Sequence, residues 1–200
     1  RFIQVVTVCF FTQFLIAQNI TIVCDSKSPR IQFGAQKLGE VLSDKGFRVS
    51  YAENSSKNKT AETIVIGEKG TDFWLQNTKR FGINDTELNQ KEGFQLSSQK
   101  QIVFVEGTDA TGTLYGAMEL ADRIKTSGKI PWGIQFKDSP EMVLRGSCIG
   151  LQKTTYLPGR DVYEYPYTPE TFPWFYDKKL WKEYLDMMVS NRLNSLYLWN

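Results

Sequence analysis

Two hydrophobic periods alternate along the first two thirds of this chain, and that alternation limits the folds open to it. Asn19 to Cys24, Phe47 to Tyr51 and Thr63 to Ile66 are short runs rich in Ile and Val, the mark of strands. Between the first two, Pro29 opens a stretch in which Ile31, Ala35, Leu38, Val41 and Leu42 recur at helical spacing, and Gly46 closes it. Thr71 to Phe81, carrying Phe73, Trp74 and Leu75, reads as a short helix. Gly93 to Leu96 and Gln101 to Val105 form a hairpin about a Ser97 to Lys100 turn. Thr111 to Lys125 is the clearest helix, because Leu114, Ala117, Met118, Ala121 and Ile124 make one apolar stripe. Strands interleaved with helices in this order predict an α/β domain of two layers, a sheet and its helices, over residues 18–138.

A second unit is expected from residue 139 onward. Gly128, Pro131, Gly133 and Pro140 punctuate a connector. Met142 to Ile149 then reads as a strand and Leu151 to Tyr176 as a long aromatic loop. Lys178 to Asn191 reads as a helix with Leu180, Trp181, Tyr184, Leu185 and Met188 inward, and Ser195 to Trp199 as a second strand. A lone strand–helix–strand unit cannot cover both faces of its sheet. The expectation is therefore that residues 139–200 begin a larger α/β domain and would pack against the remainder of it.

Composition removes several kinds of chemistry. With 24 basic and 22 acidic residues the formal net charge is +2, and the lysines are scattered, so no clustered basic footprint for nucleic acid is present. Histidine is absent, which excludes a Ser-His-Asp or Cys-His system and a His-ligated zinc within these residues. No cofactor is implied: Gly67-Glu68-Lys69-Gly70 follows a strand but lacks both phosphate-loop spacings. Of the cysteines, Cys24 and Cys148 sit in apolar runs. A disulfide between them is one reading, and two buried free thiols is the better one. Phe2 to Ala17 is mostly apolar, follows Arg1, is interrupted by Gln4, Thr7, Thr12 and Gln13, and is too short and too polar to span a bilayer. It fits the core of a secretory signal cut after Ala17, so the protein is expected to be secreted or periplasmic, with no stable membrane span after cleavage.

Three motifs carry a resemblance. Gly112-Thr113-Leu114-Tyr115-Gly116, entering the clearest helix, resembles the last helix of the small α/β domain that precedes the barrel in family 20 β-N-acetylhexosaminidases and in family 67 and 115 α-glucuronidases. Asp138-Ser139-Pro140 followed by Arg145-Gly146 is similar to the hexosaminidase entry into the first barrel strand. Asn191-Arg192-Leu193-Asn194 before Leu196 to Trp199 is similar to their helix end and second strand. Together the matches run over residues 19–200. The resemblance implies a hexosaminidase domain 2-like domain followed by the first strands of a (β/α)8 barrel. Ser147, Cys148 and Ile149 after Gly146, and Trp199-Asn200 where a His is usual, depart from the hexosaminidase pattern. They point to another branch of the same architecture.

That architecture sets the functional expectation: the front portion of an exported glycoside hydrolase, acting on a carbohydrate substrate, with its catalytic carboxylates beyond residue 200. The alternative is a non-catalytic glycan-binding protein on the same scaffold. Arg145, Trp199 and Asn200 are the candidate substrate-binding residues. A cation among Val143, Leu144 and Ile149 needs a buried partner or a ligand, and the resemblance implies that Arg145 binds sugar hydroxyls; a structural ion pair is the equal alternative. The loop from Leu151 to Tyr176 offers either a sugar-stacking rim or a lid on its own core. Asp161, Glu164 and Glu170 read as solvated loop carboxylates, since glycosidases need two at a defined separation. If Phe2 to Ala17 is a signal, mass spectrometry of the exported protein finds Gln18 at its amino terminus; a terminus that keeps Phe2 overturns export.

Overall fold

The computed structural model describes residues 18–53, 62–83, 87–150, 168–170 and 173–199. The segment expected to be a signal and most of the aromatic loop lie outside these residues. Eight strands and four helices run along the described chain: β1 (Asn19–Cys24), α1 (Pro29–Asp44), β2 (Arg48–Ala52), β3 (Thr63–Glu68), α2 (Asp72–Phe81), β4 (Phe94–Gln99), β5 (Ile102–Gly107), α3 (Ala110–Ser127), β6 (Gln135–Asp138), β7 (Gly146–Gly150), α4 (Lys178–Ser190) and β8 (Ser195–Trp199). A short 3-10 turn occupies Pro173–Tyr176.

The first six strands form one sheet in the order β2-β1-β3-β5-β4-β6. Its β2, β1, β3 and β5 members run parallel, and β4 is antiparallel to both β5 and β6. Alternation along the central strands divides their side chains between two cores. Ile20, Ile22, Ile64, Ile66, Val103 and Val105 face α1 and α3. Val23, Val65, Ile102 and Phe104 face the other way, where α2 supplies Trp74 and Phe81. The Phe104 ring meets both of these edge-on, at 6.4 and 5.7 Å. Strands buried on both faces read as unbroken apolar runs, which is why Ile64-Val65-Ile66 and Val103-Phe104-Val105 contain no polar residue.

Local sequence stops and starts the helices. Asp109 caps α3 by accepting from Gly112 N at 2.8 Å, and Thr71 caps α2 by accepting from Trp74 N at 3.2 Å. Gly128 and Gly82 end the same two helices in the left-handed conformation, with φ of 71° and 70°. The start of α3 lies hard against the sheet. A Cβ on Gly107 would overlap the backbone nitrogen of Thr113, and one on Gly112 would overlap the carbonyl of Gly93. The Thr113 hydroxyl, wholly buried there, donates to Asp109 O at 2.9 Å.

Two expectations need correction. Gln135 to Asp138 is not connector but a sixth strand. It is short and alternates exposed Gln135 and Lys137 with inward Phe136 and Asp138, the pattern of a protected edge. Its one large apolar residue, Phe136, packs on Phe94 at 6.2 Å under the Arg123 guanidinium. The strand expected from Met142 starts only at Gly146. Met142, Val143 and Leu144 are exposed, because pairing with β8 begins where Asn194 N and Ser195 N meet the Arg145 carbonyl. From there β7 and β8 pair in parallel, Gly146 with Ser195 through Gly150 with Trp199. Cys148, expected to be buried, is exposed, and both it and half-buried Cys24 are free thiols. Among the described residues no helix is long and apolar enough to cross a membrane.

Replacing Gly107 by Ala must push α3 off β5. Small-to-large changes in packed interiors cost roughly 1–3 kcal/mol, so the unfolding free energy should fall by that amount, read as a lower urea midpoint at an unchanged m-value; an unaltered midpoint would show that the contact is slack.

Candidate functional site at the junction of the two sheets

The three motif segments, far apart in sequence, meet at one place. The loop from Gln90 to Gly93 leads into β4, α3 begins beside it, and the residues ahead of β7 and β8 close over both. A cleft of about 270 Å³ lies between them, lined by Glu92, Phe94, Tyr115, Asp138, Ser139, Pro140, Arg145, Asn191 and Arg192.

Arg145 is at its centre. It lies just ahead of β7 rather than on it, and its guanidinium is bonded on every side. Nη2 donates to Glu92 Oε2 at 2.7 Å, Nε to the Arg192 carbonyl at 2.9 Å and Nη1 to the Met142 carbonyl at 2.7 Å. Its plane also faces the Tyr115 ring at 5.7 Å, a cation–π distance. The two charged side chains are 14% and 12% exposed, so the pair is largely, though not fully, withdrawn from water. Removing one partner leaves the other charge short of both water and a counter-charge, a larger loss than that of an exposed surface pair. Burial opposes the charge on Arg145, but the Glu92 hydrogen bond and charge outweigh it and hold the guanidinium pKa above its ordinary value. The Tyr115 hydroxyl is pushed up by burial first and by the Glu92 carboxylate second, with Arg145 pulling the other way.

A second cation completes the junction. Arg192 bonds Glu119 of α3 and, at 2.8 Å, Asp138 Oδ2 at the end of β6, and lies over the Phe94 ring at 5.1 Å. Asn194 donates from Nδ2 to the Val143 carbonyl at 2.8 Å and accepts at Oδ1 from Arg145 N at 2.9 Å, as a neighbouring strand would. Glu92 and Arg192 both have left-handed backbones, with φ of 58° and 57°. A non-glycine residue pays about 1–2 kcal/mol for that conformation.

Of the predicted site residues, Arg145 and the backbone of Trp199 stand apart. Arg145 stands at the amino end of β7, and Trp199 pairs with Gly150 at the carboxyl end, roughly 16 Å away along the strands. Asn200 and the side chain of Trp199 lie outside the described residues, as do Asp161 and Glu164. Glu170 is fully exposed, and a hydrogen bond from Thr168 holds its carboxyl below the usual range, which fits a solvated loop residue. Of the aromatic loop, Trp174, Phe175 and Tyr176 are described. Trp174 and Phe175 stack on Trp181 of α4 at 6.1 and 5.9 Å, and Trp181 Nε1 donates to the Phe175 carbonyl at 2.7 Å. In α4 only Met188 is fully buried; Leu180 and Leu185, expected inside, are exposed.

Sequence reasoning missed Glu92, Asp138, Glu119 and Arg192. In the sequence the three carboxylates look like surface charges. A left-handed Glu ahead of Gly93 leaves no sequence signature beyond the turn itself. Among the described residues no group of three or more His, Cys, Asp or Glu side chains is placed to hold a metal.

A match to the family model for glycosyl hydrolase family 20, domain 2, covers residues 10–138. The chain belongs to that family. The solved structure of a GH138 enzyme targeting pectin rhamnogalacturonan II is similar over 91% of this chain at 43% identity and a TM-score of 0.71. A family GH115 4-O-methyl-alpha-glucuronidase with specificity for decorated arabinogalactans matches 90% of the chain at 18% identity, TM-score 0.63. A family 20 beta-N-acetylglucosaminidase matches 88% at 17% identity, TM-score 0.51. The chain spans about a quarter of the length of each, at 24%, 25% and 26% of their chains. The last two likenesses speak to fold alone. The family 20 domain is thus present as a glycosidase-type fragment.

One carboxylate outside the junction is also perturbed. Glu68, at the carboxyl end of β3, has its pKa raised by burial, then by the charges of Asp109 and Asp25. Its ionised form is therefore disfavoured in the folded state, and stability is lost as pH rises from the unfolded pKa through the folded one. Glu68→Gln should raise the Tm at pH 7, with the gain vanishing below about pH 4, where both states of the native residue are protonated; an equal gain at both pH values would refute the assignment.

Proposed function

We propose that this chain is the front portion of an exported glycoside hydrolase that acts on a pectic polysaccharide of the rhamnogalacturonan class. The observation that carries the reading is the 43% identity to the GH138 enzyme. A match over 91% of 200 residues cannot stop at Asp138; it runs through Arg145 and into α4. The likeness is therefore to that enzyme's passage between units as well as to a family 20 domain. Export rests on the Phe2 to Ala17 pattern. The barrel reading rests on the parallel β7–α4–β8 unit, the repeating element of a (β/α)8 barrel. In that fold the loops after Gly150 and after Trp199 open at the face where active sites are built, and the carboxylate pair for hydrolysis comes from later strands.

The test is hydrolysis by the full-length protein. Incubation with rhamnogalacturonan II, with decorated arabinogalactan and with a panel of aryl glycosides and uronides should release sugar from the pectic substrate, seen by anion-exchange chromatography of the products. Release from arabinogalactan alone would overturn the substrate class. Binding of pectin without release of any sugar would replace the enzyme with a glycan-binding protein.

A further inference from the structure

The Glu92 carboxylate, carried by the turn before β4, touches both Arg145 ahead of β7 and Asn194 ahead of β8. Oε2 accepts from Arg145 Nη2 at 2.7 Å, and the two oxygens lie 3.3 and 3.4 Å from Asn194 Nδ2. Those two partners also fix the strand register between them. Arg145 N donates to Asn194 Oδ1 at 2.9 Å, Asn194 N donates to Arg145 O at 2.8 Å, and Ser195 N donates to the same carbonyl at 3.0 Å. Gly146 then sits so close to Ser195 that a Cβ would overlap the Ser195 carbonyl.

The loop that carries Glu92 is held rigid. Its backbone N–H donates to Asp109 Oδ2 at 2.9 Å, the same side chain that caps α3. Gly93 N donates to the Gln90 carbonyl at 2.9 Å, and Thr108 N donates to the Gly93 carbonyl at 2.9 Å. Gln90 reaches the chain leading to β7, donating to the Pro140 carbonyl at 2.7 Å and accepting from the Ser139 hydroxyl at 2.8 Å. A turn needing φ of 58° is most cheaply made with glycine. Glutamate stands there instead, and strained backbone of this kind persists where the surrounding structure over-determines it.

We infer that Glu92 is a positioning residue: through Arg145 and Asn194 it sets where β7 and β8 begin, and so where their carboxyl ends present the loops after Gly150 and Trp199. On this assignment the small α/β domain is a jig for the first two strands of the next unit, and Arg145 is a strut between them rather than a sugar ligand. The kinetic consequence rests on the reading under Proposed function; the structural consequence does not.

Both are measured on the full-length protein with Glu92→Gln, Arg145→Gln and the double variant. By hydrogen–deuterium exchange, each single variant should speed exchange across β7 and β8 by tenfold or more while β1, β3 and β5 stay at the native rate. The double variant should add little to either single one. On a pectic substrate, Glu92→Gln and Arg145→Gln should lower kcat about equally with KM within twofold, and Glu92→Asp should recover part of the loss. If Glu92→Gln does not fold, Glu92→Gly keeps the left-handed backbone without the carboxylate and should give the same localised exchange. Native exchange in β7 and β8, or acceleration spread equally over the six-stranded sheet, overturns the assignment. So does a raised KM in Arg145→Gln with native kinetics in Glu92→Gln, which would make Arg145 a sugar ligand. An absence of activity on every substrate counts against the proposed function only, since the exchange pattern decides the positioning role without it.

Discussion

A guanidinium that has lost most of its water must find its hydrogen bonds in protein, and the way Arg145 does so ties together what would otherwise be two loosely joined pieces of chain. Its donors reach Glu92, Arg192 and Met142, and its ring partner is Tyr115. Each contact recruits a different element: the turn before β4, the end of α4, the approach to β7 and the second turn of α3. Because the pair is largely withdrawn from water, removing Glu92 strands the guanidinium charge instead of merely loosening a surface contact. The Arg192 pairing with Glu119 and Asp138 repeats the same arrangement a few ångströms away. Two cations from the second unit thus meet three carboxylates from the first, which favours one relative placement.

This placement also gives a physical meaning to the residue spacing in the three motifs. In Gly112-Thr113-Leu114-Tyr115-Gly116, the absent Cβ atoms of Gly112 and Gly116 let α3 approach Gly93 on one side and Val105 on the other. That approach carries the Tyr115 ring to Arg145. In Arg145-Gly146, the arginine makes the ion pair and the glycine lets β8 come alongside at once. In Arg192-Leu193-Asn194, the left-handed Arg192 turns the chain out of α4 so that its side chain faces Glu119 while Asn194 meets Val143 and Arg145. Motifs that look separate along the chain are three sides of one joint.

The parts of this arrangement legible in the sequence are those governed by periodicity. The doubly buried strands β3 and β5 and the stripe of α3 follow from apolar spacing alone, and β1, α1 and β8 fall close to where that spacing puts them. β6 was illegible because an edge strand with a single inward aromatic, Phe136, has too little pattern to compete with the breakers around it. Residues 142–144 misled for the opposite reason: Met142, Val143 and Leu144 have strand composition but no described strand pairs with them. At the junction, Arg145 could be flagged, since a cation in an apolar run must be satisfied somehow. Its partner could not. Glu92 is 53 residues away in sequence, and it reaches Arg145 only because α3 and β4 bring the turn there.

The same logic decides what the β7–β8 pair can do unaided. Two strands are fewer than a sheet needs to stand alone in water, and here one helix, α4, with an aromatic cluster about Trp181, backs them. The bond between Ser147 Oγ and Tyr184 Oη at 2.6 Å ties that helix to β7, but it lies on the helix side and says nothing about where the strands point. Direction comes from their amino ends, and those ends are held by charges anchored in the six-stranded unit. Apolar packing is tolerant of small slips, whereas a bidentate-capable carboxylate facing a guanidinium and an amide is not. The hydrophobic faces therefore supply adhesion for this part of the chain, and Glu92 with Arg145 and Asn194 supplies its aim.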